Sequence, residues 1–399
     1  MMLSMVTFWT KVRVFLAPLG GLLMILTSPA YAQVSVAPTS RFVAVERLPV
    51  VFQVGCTTSC ELEALQPGLN WDEAIVSWNV RPAAGARLKV EARVVYPDTT
   101  TKWYVMADWS LDGPRTSVDG QRDDYGDVLT DTLSVRRAGG ALQLRLTGTC
   151  KDPGPQLTLL GVEFSTKPPS VQAAEPLKPG EAVSAVPQAA PPSTPATAAG
   201  ARAPEPNRAA WGKVLEAPKK VQHDYPHGNV LCSPTSLSMV LGYWSGQLAR
   251  PDLSHDVPEV EASVWDVAYK GAGNWPFNMA SAGSHPGIRA YVARLASVRE
   301  LEDWVVAGGP VVASVSLQLL KGKTLDRKTE QGHLVVLVGF SKEGDPVFND
   351  PNEHDRLSTY KRADFEAAWA YSQRTVYLVY PESFVPPKCP EGHWLPGAQ

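Results

Sequence analysis

Apolar and polar positions follow two different rhythms along this chain of 399 residues. Between 87 and 164 they alternate: RLKVEARVVY (87–96), KWYVMADWS (102–110), DVLTDTLSV (127–135), ALQLRLTG (141–148) and QLTLLGVEF (156–164) carry β-branched and aromatic residues at period two, bounded by Gly, Pro and Asp. Such runs read as short strands, so the pattern predicts an all-β, antiparallel sandwich over 33–166. Beyond 210 the rhythm changes. Leu237, Val240, Leu241 and Trp244 recur at helical spacing behind Cys232, and Ser233, Pro234 and Thr235 are first-turn types, so a helix begins at or just after Cys232. HPGIRAYVARLAS (285–297) places Ile288, Tyr291, Val292 and Leu295 on one helical face, and RELEDWVVAGG (299–309) reads as a helix ending in glycines. PVVASVSL (310–317) reads as a strand, GHLVVLVGF (332–340) as a buried central strand opened by His333, and DPVFNDP (345–351) as a short strand that Pro351 turns away after Asp350. Helices first and sheet later predict an α+β domain over 210–385, followed by a tail at 386–399.

Two stretches obey neither rhythm. Residues 1–32 carry Lys11 and Arg13, an apolar run from Val14 to Leu26 and then Ala30-Tyr31-Ala32, the order of a secretory signal peptide. The apolar run is broken by Pro18, Gly20 and Gly21 and is short for a membrane span, and no later stretch is long enough. The expectation is a secreted or periplasmic protein with no stable membrane insertion after cleavage. Residues 167–209 form the second exception. Ten of the chain's 35 prolines fall between Lys167 and Pro206, where no aromatic residue occurs, so this stretch is expected to be a disordered, semi-extended Pro/Ala-rich linker.

Charge and cysteine content narrow the classes. The formal charge of −3 becomes −5 when Lys11 and Arg13 leave with the signal, and scattered Lys and Arg give no footprint for nucleic acid. Five cysteines leave at least one without an intramolecular partner. Cys56 and Cys60 are four apart and Cys150 is distant, which favours a disulfide over a zinc site, but a 56–60 bridge demands a turn there. The pairing among Cys56, Cys60, Cys150 and Cys389 stays open. Trp71, Trp78, Trp103 and Trp109 suit either a sugar-stacking face or the sandwich core, with the core preferred. Asp112, Asp119, Asp123, Asp124, Asp127 and Asp131 suit turns better than calcium, because their spacing departs from the EF-hand pattern. No metal and no cofactor is expected.

The candidate chemistry lies in VQHDYPHGNVLCSPTSLSMVLGYW (221–244). A cysteine at a helix N-terminus meets unpaired amides and the positive dipole end, which favour the thiolate. Together with His333 opening one strand and Asp350 closing the next, the segment resembles the papain-like cysteine peptidases of the double-glycine type, whose founding members trim bacteriocin leader peptides. GAGNWPFNMASA (271–282) and FEAAWAYSQRTVYLVYP (365–381) are similar to segments of that family's stand-alone secreted members. The resemblance covers about 211–381. It implies Cys232 as nucleophile, His333 as general base and then acid, Asp350 as the group orienting the imidazole, and Gln222 as oxyanion donor. Trp275 and His285 fall in the loop-rich stretch between the helix and the sheet, where they suit ordinary loop packing at least as well as the lining of a substrate groove. The sequence departs from the family's pattern in carrying Ser233 where many papain-like sites have Gly, which leaves the backbone amide in place. It also lacks the membrane spans and Walker-type loop of the exporter-fused founding members.

The function expected from this reading is a secreted cysteine hydrolase that cleaves peptide or isopeptide bonds through a thioester acyl-enzyme, acting on peptide, protein or cell-wall peptide. Two alternatives use the same fold: a peptidoglycan amide hydrolase or acyltransferase with the same triad, and a non-catalytic surface-binding protein. The presence of Gln, Cys, His and Asp together argues against the last. The sandwich would bind a glycan or surface target, and deleting 33–166 would then weaken activity on an insoluble substrate but spare it on a small soluble one.

Overall fold

The computed structural model describes residues 39–167, 204–330, 332–354 and 357–397. The expected signal peptide and all but the ends of the expected linker lie outside these residues. Between 39 and 167 the described residues form β1 (Ser40–Ala44), β2 (Phe52–Gln53), β3 (Cys56–Glu61), β4 (Glu73–Arg81), β5 (Arg87–Val95), β6 (Tyr104–Ser110), β7 (Gly126–Leu129), β8 (Thr132–Val135), β9 (Ala141–Thr149) and β10 (Gln156–Ser165). They assemble into two antiparallel five-stranded sheets, ordered β1-β10-β4-β8-β7 and β2-β3-β9-β5-β6. The run 127–135, read as one strand, is a hairpin instead: Thr130 takes φ +60° and turns β7 into β8.

The two sheets differ in burial. In β9 exposure alternates, as expected when one face meets the core and the other water, but β4 is buried along eight of its nine residues. That continuous burial is why EAIVSWNVR does not show as an alternating strand. Trp71, Trp78 and Trp109 are each no more than 1% exposed and fill the core, so their faces are closed to sugars. Trp103 is half-buried, and the guanidinium groups of Arg93 and Arg145 lie 4.3 and 4.4 Å from its ring centroid. The acidic stretch is engaged by protein donors: Asp123 accepts from the Tyr104 hydroxyl at 2.6 Å and from two backbone amides, and Asp112 accepts from Gly85 N at 3.0 Å.

The second domain comprises α1 (Cys232–Leu248), α2 (Val257–Val264), α3 (Trp275–Ala282), β11 (Ile288–Arg294), α4 (Val298–Ala307), β12 (Val311–Val315), α5 (Leu317–Leu320), β13 (His333–Phe340), β14 (Pro346–Asn349), β15 (Ser358–Thr359), α6 (Arg362–Ala370) and β16 (Thr375–Pro381). Its strands form one antiparallel sheet ordered β11-β16-β12-β13-β14-β15. α4 ends where expected, with Gly308 at φ +91° as its left-handed cap.

The helix expected over 285–297 is not there. Ile288–Arg294 is instead edge strand β11, paired with β16 from Ile288↔Pro381 to Arg294↔Thr375. The helical periodicity was misleading because both faces of this strand are buried, which leaves no period-two alternation to read. What makes an edge strand tolerable here is the first domain. Asn79 of β4 donates its side-chain N–H to Ala290 O (2.8 Å) and accepts from Ala290 N (3.1 Å), Ser77 Oγ accepts from Val292 N (3.0 Å), and Ser40 Oγ donates to Arg294 O (2.9 Å). Side chains of the first domain thus complete the hydrogen bonding of the outer edge of the second. The fit is close: a Cβ on Gly283, at the end of α3, would lie 2.0 Å from Asn79 Nδ2.

Apolar contact crosses in both directions. Phe42, Ile75 and Leu159 join the core of the second domain, while Phe277 and Ala280 of α3 join that of the sandwich. A buried ion pair between Glu73 and Arg294 (2.7 Å) lies in the same seam. Both domains belong to one compact unit. Deleting 33–166 would therefore uncover β11 and remove core contacts, so the separable targeting module expected from the sequence does not describe how these residues pack.

The five cysteines are free thiols. Cys56 and Cys60 sit on one extended strand, which sets their Cα atoms roughly 13 Å apart and rules out a bridge between them. Asn79→Ala should cost about 2–4 kcal/mol, because it leaves the amide and carbonyl of Ala290 buried and unpaired. Urea denaturation checks this, and a loss below about 0.5 kcal/mol would mean that water takes over the edge.

Candidate active site

The segment leading to Cys232 is wound tightly. Gln222–Asp224 and Gly228–Val230 are single 3-10 turns, and His227 between them takes φ +64°. Gly228 is required there because a Cβ would lie 2.7 Å from Gln222 O. Cys232 opens α1, whose first closing bond beyond the turn runs from Thr235 N to Leu231 O (2.9 Å). The amide of Cys232 itself is thus not consumed by the helix. Pro234 lacks an N–H and costs nothing in this first turn.

α1 crosses β13, and Ser236 Oγ donates to Leu334 O (3.1 Å), fixing Cys232 one turn above the residue that follows His333. Ser233 is buried and hydrogen-bonded to the Tyr377 hydroxyl (2.8 Å), which gives the departure at this position a packing role. Cys232 is half-buried; His333 and Asp350 are 2% and 0% exposed.

His333 Nε2 donates to Asp350 Oδ1 at 2.7 Å, and the Cys232 sulfur acts on the same imidazole as hydrogen-bond and charge partner. Burial alone would push the imidazole down. The hydrogen bond to Asp350 and the interaction with Cys232 outweigh it and raise His333 to about 10. Burial likewise pushes Asp350 up, but His333, the Tyr360 hydroxyl (2.6 Å to Oδ2) and the Asn352 amide (2.9 Å to Oδ1) carry it down to about 2. The two shifts run in opposite directions, and both favour the charged form, which describes an ion pair.

Gln222 is 3% exposed and tied to this pair through the chain that follows it. Its amide donates to Pro351 O (2.9 Å), and its neighbour His223 contacts Asn352 Oδ1 at 3.0 Å. Its side-chain Nε2 donates one hydrogen to Gly228 O (2.8 Å), and Oε1 has no partner among the described residues.

Cys232, His333 and Asp350 therefore converge, and Gln222 borders them. Tyr360 and Asn352 were not foreseen. Asn352 follows the Asn349-Asp350-Pro351 signal by one residue, whereas Tyr360 arrives from the β15 region and left no local mark in the sequence. His285 does not join the cluster. It packs on His255, with ring centroids 4.8 Å apart, and burial lowers it to about 4.

Residues 34–165 match the Peptidase C39 N-terminal domain, and residues 214–377 match the Peptidase_C39 like family. Both matched regions are C39 peptidase domains by these matches. A solved structure from Bacillus anthracis described as a C39-like peptidase is 20% identical, with a TM-score of 0.34 over 42% of this chain and 97% of that one. No curated protein matches. Among the described residues, no helix is long and apolar enough to cross a membrane.

The pair sets a pH signature. His333, raised to about 10, contributes stability that is full below its unfolded value near 6.5 and fades as pH rises through 10. Asp350, lowered to about 2, contributes stability present above its unfolded value near 3.8 and lost as pH falls through 2. Imidazole NMR should show His333 titrating well below 10 in Asp350→Asn, and Tyr360→Phe should shift it by less. An unchanged titration in Asp350→Asn would show that the carboxylate does not hold the charge.

Proposed function

We propose that this chain is a cysteine hydrolase of the papain-like class, acting on peptide or isopeptide bonds through Cys232, His333 and Asp350. The observation that carries the reading is His333 held by Asp350 through Nε2 and acted on by Cys232, which opens a helix. In that arrangement the Cys232 sulfur attacks the carbonyl carbon. The oxygen, now negative, meets the Cys232 amide and the second side-chain N–H of Gln222. His333 gives its proton to the leaving amine, leaving a thioester on Cys232. Water, deprotonated by His333, then attacks the thioester and releases the acid and the thiol. Asp350 keeps the imidazole oriented and balances its charge through both steps.

The second domain supplies all four of these groups, and the sandwich braces the sheet that holds two of them. Secretion fits the signal-like order of residues 1–32. The cell-wall amide and acyl-transfer readings employ the same groups and differ only in substrate and acceptor. Comparing a peptide panel, purified cell wall and added amines separates them.

Iodoacetamide should label Cys232 in the folded protein and abolish turnover, and Cys232→Ala should be inactive with an unchanged melting temperature. Gln222→Ala should lower kcat by roughly 10²–10³, the usual effect of losing one oxyanion donor, with little change in KM. A folded protein whose turnover survives Cys232→Ala would overturn the mechanism.

A further inference from the structure

The stretch after β16, expected as a tail, is packed into the molecule. His393 and Trp394 are 1% and 3% exposed, Trp394 sits edge-on to Trp304 of α4 at 5.7 Å, and Gly392 O accepts from Phe42 N of β1 at 2.9 Å. Within it, Cys389 and His393 lie four residues apart and the His393 amide donates to the Cys389 sulfur at 3.0 Å. Across from them Glu300, in the first turn of α4, places Oε1 2.6 Å from His393 Nδ1, while its Oε2 is held by the Ala296 amide (2.6 Å). One ligand atom from each of Glu300, Cys389 and His393 falls within 4.8 Å of the other two.

A second observation points into the same place. Glu163 of β10 is 1% exposed, and neither carboxylate oxygen has a hydrogen-bond partner among the described residues. Burial raises this carboxyl well above the usual range; Arg294 and His393 act against that rise and Cys389 acts with it. A buried carboxylate without a partner is costly, and beside a thiol, an imidazole and a second carboxylate the group that would repay it is a cation.

We infer that Cys389, His393 and Glu300, with Glu163 as the fourth acidic group, form a structural site for a zinc-class divalent cation. A thiolate, an imidazole and carboxylates are the donor set that zinc takes, with ligand atoms roughly 3.3–3.8 Å apart around a tetrahedral ion. His393 Nδ1 and Glu300 Oε1, 2.6 Å apart across a hydrogen bond, would have to part to admit the ion. With Oε2 held by the Ala296 amide, Glu300 keeps Oε1 aimed at His393, as outer-shell bonds aim metal ligands. Such an ion would join three parts of the chain: the C-terminal stretch, α4 of the peptidase domain and β10 of the sandwich. The site is separate from Cys232, His333 and Asp350, so its fate does not decide the proposed function.

The test uses the full chain carrying Cys232→Ser, so that the candidate nucleophile cannot serve as a ligand. After chelator treatment the protein is titrated with Co²⁺ and then Zn²⁺. We expect a sulfur-to-cobalt charge-transfer band with intense tetrahedral d–d bands, displacement by one Zn²⁺ per chain, and a higher melting temperature with Zn²⁺. Cys389→Ser and His393→Ala, added to that background, should abolish the band, and Glu163→Gln should weaken binding about 10–100-fold. If the Cys389 and His393 variants do not fold, Zn²⁺ should still protect Cys389 from iodoacetamide in the folded parent, as read by peptide mass. No band in the parent, the same band in Cys389→Ser, or no protection of Cys389 would each overturn the site.

Discussion

The outer edge of β11 is the constraint on which the two domains turn. An edge strand presents backbone groups that must be paired, and burying it beneath another domain removes water as the partner. Asn79, Ser77 and Ser40 take that place, using side chains where a sheet would use a neighbouring strand. Because these side chains sit on β4 and beside β1, the first sheet of the sandwich is held with its outer face against α3 and β11. Its continuous burial follows, and so does the sharing of Phe42, Ile75, Phe277 and Ala280 between cores. Glu73 and Arg294, buried together in the seam, would each be unpaired if the domains parted.

The same sheet carries the candidate site. β11 pairs with β16, β16 with β12, β12 with β13 and β13 with β14, so bracing one edge steadies the strands that present His333 and Asp350. α1 lies over β13 and brings Cys232 down to the imidazole through the Ser236 contact. On the far side, Tyr360 and the Asn352 amide close the coordination of Asp350, so its carboxylate remains charged although it is buried. The geometry that favours an imidazolium is thus a product of three elements meeting, each placed by packing remote from the chemistry.

Much of this was legible beforehand. The strands of the sandwich that face water on one side announced themselves by alternation, as did the start of α1 by its first-turn residues and the end of α4 by its glycines. Cys232, His333 and Asp350 stood at element boundaries, where local chain chemistry marks a position clearly. β4 and β11 were hidden for a common reason: buried on both faces, they lose the period that identifies a strand. Tyr360 and Ser233 were hidden because their roles depend on partners far along the chain.

Local order, then, was the sequence's own contribution: which stretches alternate, where a helix must start, and which residues carry a thiol, an imidazole and a carboxylate in a productive order. Those properties depend on neighbours within a turn or two, so they can be read along the chain. Tertiary structure alone decided that two apparent modules share a core, that 288–294 is a strand, and that a stretch read as a tail brings Cys389 and His393 against Glu300. Each of these rests on pairing buried polar groups across hundreds of residues, and no local pattern encodes which groups will meet.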